Sequence, residues 1–345
     1  MSTGPAPRIV VTGATGNVGT SVIRVLSRDP GVGSVLGLAR RRPQITLPGV
    51  EWDTVDLSSP ASAGTLKAQF AGADAVIHLA WRFQPTHDPV VTWQSNVAGS
   101  LRVFDAVRDA GVPALVPASS VGAYSPGPKE EPGVDEDWPT HGWPDAAYCR
   151  EKAYLERVLD TFELRHPQIR IVRMRPGFLF KEQAASEQRR IFAGRYVPGT
   201  LLRPDLLPFV PDLDGLRFQV LHTDDAAEAY RLAALHHVRG AFNLAADSVT
   251  DVRALGELLD AHVVPLPRAL VRGALAAAWQ ARAVPASPHL FDAVLRLPVM
   301  NCGRAHDELG WAPVHSADQA LRAFLHGVRH GKGEDTAPLA GRSFG

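Results

Sequence analysis

The stretch VVTGATGNVG, residues 10–19, decides how the chain is read. It closes an apolar run, Arg8–Thr12, and spaces Gly13, Gly16 and Gly19 three residues apart; Val18, Val22, Val25 and Leu26 then recur at helical intervals. Glycine weakens strands and helices alike, so three of them at a strand-to-helix junction need a cause. Close approach of a diphosphate supplies one. Gly13 would allow the tight turn, Gly16 would let a pyrophosphate reach the backbone, and Gly19 would let the helix lie close on the sheet. The free N–H groups and positive dipole end of the helix would then face the phosphates. An ordinary turn needs only one of the three glycines.

Outward from this junction, the order of elements is that of a doubly wound sheet. Further strands are expected at Ser34–Ala39, Glu51–Asp56, Ala75–Ala80, Ala114–Ala118 and Ile169–Met174. Between them lie helical patterns, among them Asn96–Ala110, stopped by Gly111, and Ala147–Leu164. Strands alternating with helices imply a parallel α/β sheet of the Rossmann type, covered by helices on both faces. The expected dinucleotide-binding domain spans residues 1–177, rejoined by about 217–245, with RFQVLH, a helix from Asp224 to Leu235, and GAFNLA. Residues 178–216 and 246–330 would form a smaller C-terminal substrate lobe, and the tail from 331 to 345 would be loose.

Composition narrows the class. The 345 residues are 45% hydrophobic and 21% charged, with 36 basic against 36 acidic side chains. That suits a globular protein with a large core and offers no global field for nucleic acid or an anionic membrane. No stretch is long and apolar enough to suggest a membrane span, and the N-terminus has no apolar signal core. Two cysteines, Cys149 and Cys302, give neither a disulfide framework nor metal-ligand spacing and fit a reducing cytoplasm.

The second strand ends LARRRP. Where an NAD site presents a carboxylate to the ribose, this chain offers Arg40 and Arg41, which suit the 2′-phosphate of NADP. NADP is therefore preferred, with NAD as second choice. Asp56 can meet the adenine edge or cap the following turn. In DAAYCREK, Tyr148 and Lys152 are four residues apart and share a helix face. Chance would supply roughly 0.07 such pairs in this chain. An ammonium nearby would favour the phenolate; bringing the phenol from ~10 to near 7 takes about 4 kcal/mol. Tyr148 could then serve as general acid or base. Ser119 and Ser120, at the end of the fifth strand, could hydrogen-bond a reacting oxygen.

Together TGATGNVG, the Ser119-Ser120 pair followed by Tyr124, and the Tyr148/Lys152 pair resemble the extended short-chain dehydrogenase/reductase family of the NAD-dependent epimerase/dehydratase type. DAVIHLAW (74–81), SNVAGS (95–100), RMRPGFLF (173–180) and LGWAPVHSADQALRAFLHG (309–327) support the likeness, which runs from about residue 8 to 328. The resemblance implies Ser120, Tyr148 and Lys152 as catalytic residues. It implies a cofactor held by Gly13, Thr15, Gly16, Asn17, Val18, Gly19, Asp56 and Leu57. Leu79, Ala80, Trp81, Asn96, Ser119, Pro176 and Gly177 would complete that site, and homodimers would form through the helices of Asn96 and Tyr148.

Departures from the family patterns narrow the reaction. The acidic pair that dehydratases carry after the catalytic hydroxyl is replaced by Val121 and Gly122, which disfavours dehydration. The asparagine of sugar-nucleotide epimerases is replaced by Phe178, and Phe83 with Trp81 could wall an apolar substrate. The favoured reading is an NADP-dependent carbonyl reductase or dehydrogenase acting on a small molecule. The alternatives are a sugar-nucleotide epimerase with tightly held NAD and a non-catalytic dinucleotide-binding regulator. Arg189, Arg190 and Arg203 stand as anion grips or solvated charges.

Overall fold

A computed structural model describes residues 5–194 and 209–341. Strands β1 (Arg8–Thr12), β2 (Ser34–Ala39), β3 (Val50–Thr54), β4 (Ala75–His78), β5 (Ala114–Pro117) and β6 (Arg170–Pro176) form one sheet. Helices α1 (Asn17–Arg28) and α2 (Ser62–Phe70) flank it, with α3 (Pro89–Trp93), α4 (Gly99–Asp109) and α5 (Ala147–Arg165). After β7 (Phe178–Phe180) and α6 (Ala185–Phe192) come β8 (Phe209–Asp212), β9 (Phe218–His222), α7 (Thr223–Leu235) and β10 (Gly240–Leu244). The chain ends through β11 (Val249–Thr250), α8 (Val252–Leu259), β12 (His262–Pro265), α9 (Arg268–Gln280), α10 (Pro288–Val294), α11 (Gly303–Asp307) and α12 (Ala317–His330).

The main sheet has seven strands in the order β10-β6-β5-β4-β1-β2-β3, all paired in parallel. Chain progression reverses between β1 and β4, which opens a crevice at their carboxyl ends. The central strands β1 and β4 are buried on both faces and run apolar without alternation, as in Ile9, Val10 and Val11, whereas edge strand β3 buries only Trp52 fully. One core lies under α1 and α7, around Val22, Ile23, Leu26 and Tyr230. The other lies under α2, α4 and α5, around Phe70, Val103, Phe104 and Leu159. Beside this body, β11-β9-β7 and β12-β8 make two small sheets.

Two elements differ from the sequence expectation. The helix expected over Asn96–Ala110 begins earlier than expected, at Pro89, and runs as α3, a π-turn over Gln94–Ala98, and α4. The π-turn turns Asn96 inward, where its side chain is committed to the Arg82 backbone and the Glu151 carboxylate. Residues 332–341 are not a loose tail. Leu339 and Thr336 are buried, Glu334 pairs with Arg24, and Arg190 donates to the carbonyls of Pro338 and Ala340. Residues 342–345 and Arg203 lie outside the described residues.

Candidate active site

The three glycines do different things. Gly13 has φ +71°, and a Cβ there would sit 2.6 Å from the backbone N of Ala80. At Gly19 a Cβ would meet the Gly13 carbonyl at 2.2 Å. At Gly16 it would meet only that carbonyl, at an ordinary 3.5 Å. Gly16 is also the N-cap of α1, and no side chain caps the helix, so its first N–H groups stay available to a ligand. This cradle, open only above Gly16, fits a dinucleotide diphosphate. The Asn17 side chain is occupied elsewhere, donating to Leu179 O and accepting from Thr223. Val18 packs on the core beneath, and Thr15 turns its carbonyl to Thr336.

Arg40 and Arg41 follow β2, exposed. Asp56 is exposed after β3 and accepts from the amide and hydroxyl of Ser58, bonds that hold its carboxyl below the usual range. Leu57 belongs to the core and packs against Gly99.

At the ends of β4 and β5 the aromatic and polar groups converge. Lys152 donates to Ala118 O at 2.6 Å, and its ammonium lies 3.5 Å from the centre of the Trp81 ring. Trp81 also meets Tyr148 edge to face at 5.7 Å, and Phe83 stacks on Tyr148 at 4.9 Å. Gly122 leaves room for the Tyr148 ring, which a Cβ there would strike at 2.7 Å and displace. Burial raises the Tyr148 phenol above its usual value, against the lowering pull of a hydrogen bond with Ser120. The sequence expectation had Lys152 drawing that pKa down. In the structure the ammonium is 6.0 Å from the phenol ring centre and spent on Ala118 and Trp81. Burial lowers Lys152 itself to about 7, opposed by Glu156 and Glu151.

Asn96 fastens the segment after β4. Its carbonyl oxygen accepts from Arg82 N at 2.7 Å, and its amide donates to Arg82 O and Glu151 Oε2. Thr92 donates to the other Glu151 oxygen at 2.6 Å. Leu79 and Ala80 lie between this clamp and Gly13, with Leu79 N bonded to Thr12 O. The neighbouring His78 bridges Thr12 and Ser100, and burial drops its pKa to about 3, so it is a neutral strut.

The Ser119 hydroxyl is committed to Glu156, to which it donates at 2.6 Å. Glu156 also accepts from Arg173 and Arg175. Burial alone would raise this carboxyl, but Arg175 and Arg173 outweigh it and hold the group at about 2. Arg175 continues to the Tyr124 hydroxyl, which donates to Asn243. This network, unlike Tyr148 and Lys152, carries no motif. Its one signal is that Glu156 continues the four-residue spacing of Tyr148 and Lys152 along α5.

Pro176 ends β6 and pairs with Leu244. Gly177 has a packing reason, since a Cβ would meet Gln219 O at 2.6 Å. Phe178 packs on Phe218 at 5.3 Å rather than on Tyr148. A cavity of about 250 Å³ lies beside Tyr148, walled by Trp81, Phe83, Phe192, Trp279 and Leu290. Trp81 Nε1 and His289 Nδ1, on residues lining it, are buried without a hydrogen-bond partner among the described residues.

A doubly wound sheet with an uncapped glycine cradle at its switch point, and a phenol, a serine hydroxyl and an ammonium at the adjoining strand ends, defines a dinucleotide-binding enzyme fold. The chain belongs to the NAD-dependent epimerase/dehydratase family, whose model matches residues 9–245. It is 28% identical to the UDP-glucose 4-epimerase of Azospirillum brasilense, over 94% of this chain and 92% of that one. In fold it is similar to the UDP-glucose 4-epimerase of Thermotoga maritima, at 18% identity and TM-score 0.68, covering 94% and 99% of the two chains. It is also similar to that of Thermus thermophilus, solved with NAD, at 21% identity and TM-score 0.65, covering 93% and 99%. No described helix is long and apolar enough to cross a membrane.

Proposed function

We propose that the protein is an NADP-preferring oxidoreductase that interconverts a carbonyl and an alcohol on an apolar small molecule, with Tyr148 as general acid/base. The observation that carries this is the aromatic cavity sharing the Tyr148 ring. Its two lining arginines among the described residues, Arg82 and Arg150, donate to Gln84 O and Pro144 O. The aromatic side of the wall suits an apolar body, and Gln84, Thr86, Glu151 and His289 elsewhere in the lining can orient a polar group on it. Ser120 holds the substrate oxygen beside the phenol. Tyr148, kept protonated by burial, can give that oxygen its proton. Lys152 sits against Trp81, where burial lowers its ammonium to about 7 against the opposing pull of Glu156 and Glu151, so it can hold or release a proton near neutrality. Gly16 and the first N–H groups of α1 take the diphosphate, and Arg40 and Arg41 meet the 2′-phosphate. When bound, the nicotinamide donates or accepts the hydride.

The test is consumption of added NADPH with a panel of aromatic and alicyclic aldehydes and ketones. Stoichiometric oxidation supports the reading, and no consumption across the panel removes it. Sugar-nucleotide epimerisation is the second reading, favoured by the likeness to a UDP-glucose 4-epimerase along nearly the whole of both chains. It predicts equilibration of UDP-glucose with its C4 epimer, with bound NAD and no net cofactor turnover. A homodimer through α5 and the continuous α3–α4 run that carries Asn96 is part of the proposal, supported by exposed Trp93 and Tyr154, whose rings lie 4.9 Å apart; a monomer in sedimentation would exclude it. The unpaired Cys149 and Cys302 support a cytoplasmic setting.

A further inference from the structure

We infer that the segment after α12 is a strap that sets the dinucleotide loop, with Thr336 as its positioning residue. The inference rests on the reading that this loop takes a nicotinamide dinucleotide. Beyond Gly331, which ends α12 in the left-handed conformation, the chain folds back on itself through a bond from Glu334 N to Leu339 O. Leu339 is fully buried. Across 321 positions of sequence, Thr336 Oγ1 donates to Thr15 O at 2.8 Å.

That carbonyl belongs to the peptide joining Thr15 to Gly16. The N–H of the same peptide donates to Gly13 O at 3.1 Å. Because a peptide is planar, Thr336 and Gly13 fix it from opposite edges. Its orientation sets where α1 begins, and hence where the N–H groups of Asn17 and Val18 point. A second route runs from the strap to the same turn. Glu334 lies 3.8 Å from the buried Lys181 ammonium. Lys181 donates to Thr20 Oγ1 at 2.7 Å and to Ser21 Oγ at 3.1 Å. Thr20 Oγ1 in turn donates to Gly16 O. Arg190 fastens the far end through Pro338 O and Ala340 O. Gly13 and Gly16 have no side chains to stiffen the turn, so these outside bonds, with those of Asn17, pre-aim the donors before the ligand arrives.

The test is calorimetric titration of wild type, Thr336→Val and Thr336→Ser with NADPH and with NADH. Valine keeps the shape and removes the donor. The expected result is about a tenfold rise in Kd for Thr336→Val, equal for both dinucleotides because the diphosphate is common to them, and near-wild-type Kd for Thr336→Ser. Wild-type Kd in Thr336→Val, or no rescue by serine, overturns the strap alone. A wild type that binds neither dinucleotide overturns the cofactor reading and the strap with it. Ending the chain at Gly331 should weaken binding further, and the point variants carry the test if that shortened chain does not fold.

Discussion

Exchanging the glycines of the first loop separately should divide folding from binding. At Gly16 the backbone is extended, with φ −83° and ψ −176°, which any residue adopts. A methyl there meets only Gly13 O at 3.5 Å. Gly16→Ala loses something as an N-cap and gains from a stiffer unfolded chain; the two nearly cancel, to within about 0.5 kcal/mol, or a melting shift of roughly 2 °C or less. The same methyl occupies the space through which a phosphate oxygen must come to about 2.9 Å from an N–H. Losing one charge-assisted bond, at about 1.5–3 kcal/mol, weakens NADPH about 10- to 100-fold. Gly19→Ala should behave in the opposite order. Its methyl would lie 2.2 Å from Gly13 O and 2.7 Å from Ala14 Cα, so the helix start must lift, at about 3 kcal/mol and roughly 6 °C or more. Thermal melts and NADPH titrations on the two variants decide the matter. A Gly16→Ala protein that binds as tightly as wild type would refute the claim that a phosphate approaches the backbone there.

Three other outcomes follow from the same geometry. Tyr148→Phe should cut kcat by about 100-fold or more while NADPH titrations stay near wild type; an unchanged rate removes Tyr148 from the chemistry. Arg40→Ala with Arg41→Ala should raise the Kd of NADPH about tenfold and leave that of NADH nearly unchanged, and equal losses would contradict a 2′-phosphate site. Burial raises the Glu187 carboxyl from 4.5 to about 7, against Arg190 and Lys181. The folded state therefore holds a proton that the unfolded chain releases above pH 4.5, and this stabilisation fades as pH climbs to 7. Denaturant melts from pH 4 to 8 should show wild type losing up to about 3 kcal/mol relative to Glu187→Gln, and parallel curves would contradict that burial.

What was legible in the sequence was periodic or local. RIVVT and AVIHLA declare buried strands through unbroken apolar runs, and the glycine spacing marks the turn between β1 and α1. Tyr148 and Lys152 were legible because one helix joins them. Glu156 was not: an acid on a helix looks solvated until Arg173 and Arg175 arrive from β6. Those arginines alternate with apolar residues in RIVRMRP, a pattern that ordinarily points to water, and only the distant partner reverses it. The strap escaped for the same reason. Its GKGEDTAPLAG composition is that of a flexible end, and its docking depends on Thr15, Arg24, Lys181 and Arg190, all far away in sequence.

The π-turn at Gln94–Ala98 carries one surplus residue relative to a regular helix. Each helical residue accounts for about 100° of rotation. Removing Ser95 would let the ladder close into ordinary α-helix and swing everything before it by that angle. Thr92 would then point away from Glu151, and the amide of Asn96 would leave Arg82. A single inserted residue thus keeps Thr92 and Asn96 together on the Glu151 carboxylate.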